Sequence, residues 1–480
     1  VTDSIITGNI VTADTATSTL NLNSGSSWYM YESSNITTLN AGSYDIDMRS
    51  ISSGYNTLTL NNYTGNGNTI YMNTYLGNES SPTDKIVIDG GNVSSNTILQ
   101  FTNNGGPGMP TNGNGIQVVE AINGAIIGSG SFSLAGGELH AGAWVYQLAQ
   151  GTRSDASEQS LYLRNKGLLS NAARGTANEP PSVIGAMKSG MNALMKRMGE
   201  LREENPEHHN GLWIRGHGKN LHIDDKTHAK MNVYGTEAGY DWKFHFDESK
   251  LFVGAAIGFT YIDEIRNHYG NGARDGEGIS RSPSVGAYAT WMHESGLFVD
   301  AIVRNFWSNF KLTSYNPDGT SMRYKPDRYI TAYSVEIGKQ FRACIDDSSM
   351  WIWEPRVEFM YAYSNAKSFK SNLGDNIRYG DTNSYTGKIS LMAGYKKAFE
   401  NGIIAEPYVQ VGGIQEFHGK TNVTFDDAHY RSDLKGASLE VGGGLNMKFN
   451  DSWAMYGQMM YEKGSVIQSL SGNLGFRYSW

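Results

Sequence analysis

From Leu212 to Trp480, apolar and polar side chains alternate over stretches of about nine to twelve residues. Leu251, Val253, Ala255, Ile257 and Phe259 alternate with Phe252, Gly254, Ala256, Gly258 and Thr260. Leu297, Val299, Ala301 and Val303 alternate with Phe298, Asp300, Ile302 and Arg304, and Trp353, Val357, Phe359 and Tyr361 with Glu354, Arg356, Glu358 and Met360. Leu439, Val441 and Leu445 alternate with Ser438, Glu440 and Asn446. A period of two sends these sets to opposite faces of a strand. One face is apolar with aromatics near the strand ends; the other is glycine, charge and amide. That inverts a soluble sandwich, so the polar face must look inward and the apolar face into lipid. At ~10 residues per strand plus turns, the region allows about twelve strands. An even number closes antiparallel ends and leaves no edge. Residues 211–480 are therefore expected to form a 12-stranded antiparallel transmembrane β-barrel.

The composition agrees. No apolar run approaches the ~18 residues of a spanning helix, and the longest, Leu251 to Ile262, is broken by glycine. A helical membrane protein is excluded; a barrel is not. The lone Cys344 rules out a disulfide framework and a cysteine zinc site. A net charge of -8 argues against a nucleic-acid partner, which requires a basic face.

That charge sits at one end. Residues 1–150 hold two basic residues, Arg49 and Lys85, against ten acidic ones, and the remainder carries 37 of each sign. Over the same stretch, short β-prone runs such as Leu58-Thr-Leu60, Ile70-Tyr-Met72 and Ile86-Val-Ile88 are separated by Asn, Gly, Ser and Asp. Such runs suit a right-handed β-solenoid, in which each coil buries one row of side chains against its neighbours. Trp144-Val-Tyr-Gln-Leu148 and Ser160-Leu-Tyr-Leu163 are expected to cap the open end of the stack, giving a domain over 1–163. Val1 opens inside a repetitive polar stretch with no basic or apolar leader, so the chain is expected to be the C-terminal part of something longer.

Between the two regions, residues 164–182, with Gly175 and Pro180-Pro181, are expected to be a linker. Ile184, Met187, Met191, Leu194, Met198 and Leu201 then recur at helical spacing, which predicts an α-helix over 183–206, with Lys188, Lys196 and Arg197 on its other face.

On the last strand Leu470, Gly472, Leu474, Phe476, Tyr478 and Trp480 share one face, and the chain ends on the aromatic. Phe476, Tyr478 and Trp480 match the C-terminal signal read by outer-membrane assembly machinery. Together with Gly211-Leu-Trp-Ile-Arg215-Gly, Trp353-Glu-Pro355 and Ala405-Glu-Pro-Tyr408, this terminus makes the whole chain resemble the C-terminal part of a bacterial autotransporter of type V secretion. The resemblance implies the end of a pertactin-like passenger, an autochaperone cap, a pore-spanning helix and a translocator barrel. It implies a barrel monomer in the lipid of the outer membrane and a passenger at the cell surface or secreted. The implied partners are barrel-assembly machinery, periplasmic chaperones and, for the passenger, a host surface or glycan, as in an adhesin.

Met191-Asn-Ala-Leu-Met-Lys-Arg-Met-Gly-Glu-Leu-Arg202 is similar to the segment at which the self-cleaving subgroup releases its passenger. The resemblance sets the scissile bond between Asn192 and Ala193. An Asn side-chain amide can attack its own backbone carbonyl, form a succinimide and expel the next amine without a separate nucleophile. Ala193 departs from the commoner Asn-Asn pair but carries the same backbone amine. The family's acidic lumen residues correspond to Asp300, Glu336 and Glu358. Alternation independently sets Asp300 and Glu358 on the polar face, and Val335 and Ile337 flank Glu336 on the lipid face. Mutual repulsion of crowded carboxylates would keep a proton available to one of them, for a single-turnover general acid/base role. The plainer alternative is a polar wall that solvates the helix in an uncleaved, surface-anchored adhesin.

No Gly-x-Ser-x-Gly elbow, Walker loop or His-Glu-x-x-His occurs. His208, His209, His217, His222 and His228 fit no ligand spacing and are expected in a solvated turn. Neither metal nor cofactor is expected.

Overall fold

Each coil of the N-terminal region contributes short strands to two parallel sheets. A computed structural model describes residues 1–49, 54–190, 201–202, 205–224, 228–268, 274–317 and 319–480. Among them, six strands beginning at Ile5, Ser27, Ile46, Thr69, Thr97 and Phe132 form one sheet. Their starts keep no fixed period because the intervening turns differ in length, yet the register aligns the core. Trp28 stands beside Ile46, Ile46 beside Ile70, Ile70 beside Leu99, and Leu99 beside Leu134. In the facing sheet Leu58, Ile86 and Val119 stack in the same way. All are buried, most completely. A ladder of this kind gains from each neighbour it covers, at ~25 cal/mol per Å² of apolar surface.

Several buried polar groups of this region are paired. Tyr63 and Thr97 share a 2.7 Å hydroxyl contact, and Thr97 donates to Asn68 Oδ1 at 2.8 Å. The Asp84 carboxylate accepts the backbone N–H of Asn56 at 2.7 Å and of Asn73 at 2.5 Å, which ties two turns together. The parallel stack ends on antiparallel strands. Leu161–Leu169 pairs antiparallel with Ile116–Ile122 and with Trp144–Gln150, so the last coil has an antiparallel neighbour instead of a free edge.

The C-terminal region is a closed antiparallel barrel with a wall of twelve strands. The first, Asn210–Asp224, pairs with the last, Ile467–Ser479, from Gly211 opposite Ser479 to Ile223 opposite Ile467. The alternation has the expected sense. Leu439 is 71% exposed, Ile389 69% and Val409 64%, all on the outside. Glu440, Lys388 and Gln410 on the inside are buried. Aromatics gather in two belts on the outer surface. Tyr333, Tyr361 and Tyr385 stack in sequence at 6.1 and 4.8 Å in one. In the other, Trp351 meets Tyr395 at 5.2 Å, Trp453 meets Tyr478 at 4.7 Å, and Tyr478 stacks on Trp480 at 5.4 Å. Belts of amphipathic rings suit the two boundaries of a bilayer.

The helix runs over Asn171–Gly190, so it begins at Asn171 and not at Val183. The Pro180-Pro181 pair lies inside it and not in a linker. Burial overrides the local breaker signal, since Thr176, Val183 and Ile184 are all buried. Leu201, Arg202 and the residues from Asn205 are not helical, so the helix does not reach Pro206. Met191, Asn192, Ala193, Leu194, Lys196, Arg197 and Met198 lie outside the described residues.

Candidate functional site

Alternation turns every second side chain of the wall into the lumen, and register decides which of them meet. Asp300 lies directly opposite Glu336 on the next strand, and Glu336 directly opposite Glu358 on the one after. At 4.7–4.9 Å between strands, the three carboxylates span about 10 Å of a single row. Each is buried, at 2%, 3% and 5% exposure. The row continues to Thr290 on one side, whose hydroxyl donates to Asp300 Oδ1 at 2.5 Å. On the other side Lys388 stands opposite Glu358. Ser334 donates to Glu358 Oε1 at 2.9 Å.

The row is not carboxylates alone: alternation sets Arg356 on the same face, but its pairing with Glu336 is not legible from the sequence. Arg356 Nη1 is 4.0 Å from Glu336 Oε1 and its Nη2 is 2.7 Å from Glu354 Oε1. Lys388 Nζ is 2.5 Å from Glu440 Oε1. Cations interleaved with the acids offset the repulsion expected from sequence. Their signal was present in the alternation of Thr386, Lys388 and Ser390, but their partners are fixed only by register.

Further networks brace the wall. Arg215 and Arg304 both bind Glu237. Arg477 on the last strand grips Asp241 on the second with two bonds, of 2.9 and 2.7 Å, reaching across the first strand. A Cβ at Gly211 would fall 2.0 Å from that guanidinium, so only glycine leaves it passage. Asp241 also accepts from Tyr288, which accepts from Trp213 Nε1 at 2.6 Å. The seam between first and last strands is thus covered by a buried, charge-assisted network. His217 and His222 lie on the first strand and His228 opens the second, not in a turn, the strands having extended further than their polar residues suggested. Phe476, Tyr478 and Trp480 share the outer face of the last strand, and Trp480 exchanges backbone hydrogen bonds with Asn210 at 3.0 and 3.1 Å.

The helix and the chain beyond it are held by the same wall. Tyr379 donates its hydroxyl to the Thr176 carbonyl at 2.9 Å. Lys188 forms an ion pair with Glu416. Beyond the helix, Arg202 lies 3.0 Å from Glu354, and Lys243 donates to the Asn205 carbonyl at 2.7 Å.

The family described as Autotransporter beta-domain matches residues 212–459, more than half of the chain, and the one described as Autochaperone Domain Type 1 matches residues 34–148. Similar proteins include the pertactin autotransporter of Bordetella parapertussis, 28% identical over 60% of this chain and 30% of that protein. They also include the BrkA autotransporter of Bordetella pertussis, 27% identical over 74% and 34%. The autotransporter adhesin/invasin TibA of Escherichia coli is 24% identical over 99% and 52%. The chain thus spans between about a third and a half of the length of these relatives. Among solved structures, the transport unit of the autotransporter AIDA-I from Escherichia coli has a TM-score of 0.50 at 17% identity, over 63% of this chain and 99% of that one, a likeness of fold. With a closed lipid-facing barrel, a lumen-wall-bound helix and a solenoid region matched by the autochaperone family, the chain belongs to the autotransporter family and carries its outer-membrane translocator barrel.

Proposed function

We propose that this translocator also releases its passenger, by a single cleavage between Asn192 and Ala193 inside the lumen. Asn192 Nδ2 attacks its own backbone carbonyl carbon, a succinimide ring closes, and the bond to Ala193 nitrogen breaks. The proton lost from Nδ2 is delivered to the departing amine, and water later opens the ring. One of Asp300, Glu336 and Glu358 carries that proton, while the others orient the amide and a water. The supporting observation is their common row, three buried carboxylates in directly opposed register on adjacent strands. Assembly machinery recognising Phe476, Tyr478 and Trp480, periplasmic chaperones on the exported chain, and a host surface or glycan for the passenger belong to the same proposal.

The test is intact mass and N-terminal sequencing of the membrane-embedded fragment, wild type beside Asn192→Asp, both assembled in outer membrane. A wild-type fragment beginning at Ala193 and absent from the variant is expected. An intact chain in both would favour instead a surface-anchored adhesin and reduce the three acids to lumen lining, a reading supported by the near-complete coverage of this chain by the adhesin/invasin relative.

A further inference from the structure

We infer that the Lys188–Glu416 ion pair sets the depth and rotation of the helix in the lumen, making Lys188 a positioning residue for cleavage. The inference rests on the reading of Asn192–Ala193 as the scissile bond. Glu416 is a socket built in advance. Its Oε1 accepts from Ser384 Oγ at 2.9 Å and from the Tyr385 backbone N–H at 3.0 Å, and its Oε2 accepts from Thr386 Oγ1 at 2.7 Å. A carboxylate held by three wall donors cannot follow an ammonium that moves, so the helix must come to it. Both side chains are largely shielded, at 13% and 6% exposure, which makes it costly to leave either charge without the other. One turn earlier, Gly185 lies so close to the wall that a Cβ there would be 3.1 Å from Leu221 and 3.2 Å from Ile223. The helix is therefore seated at two neighbouring points.

The socket lies next to the acid row. Thr386, which binds Glu416, precedes by two residues the Lys388 that stands opposite Glu358. Lys188, Glu416, Lys388 and Glu358 line one cavity. Asn192 follows Lys188 by four positions, and four residues reach at most about 14 Å whatever their conformation. Fixing Lys188 therefore sets, through chain length alone, an upper limit on how far the proposed scissile bond can lie from that cavity. With Lys188 released, the holds at Thr176 and Gly185 remain, but the part of the helix that leads into Asn192 loses its last fixed point on the wall.

The experiment uses the full chain assembled in outer membrane, with barrel folding followed by heat-modifiable mobility. Lys188→Met is expected to slow appearance of the fragment beginning at Ala193 tenfold or more in a folded barrel. Lys188→Arg, which keeps the charge and reach, is expected to restore the rate to within threefold. Glu416→Gln, which keeps the socket's shape, is expected to slow it as well and serves if Lys188→Met does not fold. Cleavage of folded Lys188→Met or Glu416→Gln at the wild-type rate would overturn the positioning role while leaving self-cleavage intact. If the wild type is itself uncut, the cleavage reading falls, and single-channel conductance decides the seating: a rise in Lys188→Met upholds it and unchanged conductance overturns it.

Discussion

The solenoid and the barrel are both β-sheet, both follow a period of two, and place their apolar side chains on opposite sides. In the solenoid Leu99, Ile70 and Ile46 are sealed from solvent within one apolar core, at 0–1% exposure. In the barrel Leu439, Ile389 and Val409 are among the most exposed large side chains, and the buried positions hold Glu, Arg and Lys beside apolar residues such as Phe298 and Met392. Backbone geometry does not distinguish the two. The solvent does: water drives the solenoid's aliphatic ladder inward, whereas lipid accepts aliphatic residues and rejects charge. What holds each interior follows. The solenoid depends on area buried between coils, and the barrel adds to its apolar contacts ion pairs whose partners sit on different strands.

The sharpest way to break the barrel's half of this contrast is Arg477→Met. It leaves Asp241 buried without its guanidinium, and about 3–5 kcal/mol of barrel stability should be lost. The loss should appear as a lower temperature of conversion in heat-modifiable electrophoresis, with most of it recovered when Asp241→Leu is added. If Arg477→Met alone leaves the conversion temperature unchanged, the seam network is not what secures closure.

A smaller effect compares like substitutions in the two regions. Leu99→Ala empties a sealed core position and should cost the solenoid about 2–5 kcal/mol in urea unfolding. Leu439→Ala removes a side chain that faces lipid, forfeits transfer of that side chain but leaves no protein cavity, and should cost the barrel less than Leu99→Ala costs the solenoid. Equal costs would mean that the two apolar faces are packed against the same kind of medium, and the contrast would collapse.

The smallest effect is a pH slope confined to the solenoid. Burial pushes the Asp84 carboxyl up to about 6, against the two backbone N–H groups that favour its charged form. Its folded value thus lies above its unfolded one of 3.8, so between those pH values the folded state holds more proton. Solenoid stability should therefore be greater near pH 4 and decline as pH rises through about 6, then level off. The urea midpoint of unfolding, followed by passenger fluorescence, should show this decline in the wild type and a flatter profile in Asp84→Asn. A decline of equal size in both would assign it to other groups.

Much of this architecture was legible because it depends on local pattern. Alternation alone separated Val335 and Ile337 from Glu336, and Leu439 from Glu440, and a terminal row of Leu470, Leu474, Phe476 and Trp480 marked the closing strand. The helix start was not legible, because Pro180-Pro181 is a breaker in isolated chain and burial outweighs it. Nor were the pairs. Lys388 meets Glu440 and Arg477 meets Asp241 across separations of 52 and 236 residues, fixed by barrel closure and register. Period two tells which way a side chain points, never which strand stands beside it.

The two aromatic belts have a further meaning for where such a barrel can reside. On adjacent strands, Trp351 and Tyr361 belong to opposite belts, as do Tyr395 and Tyr385. Each pair is separated by about ten residues, or about 34 Å along a strand. Strands tilted by 35–45° reduce that to about 25 Å between belts, less than the ~30 Å hydrocarbon thickness of a typical bilayer. Bacterial outer membranes are thinner than average, and mismatch costs a fraction of a kcal/mol for each Å. The spacing of four rings therefore acts as a sorting tag written in length, matching the barrel to a thin membrane before any receptor reads it.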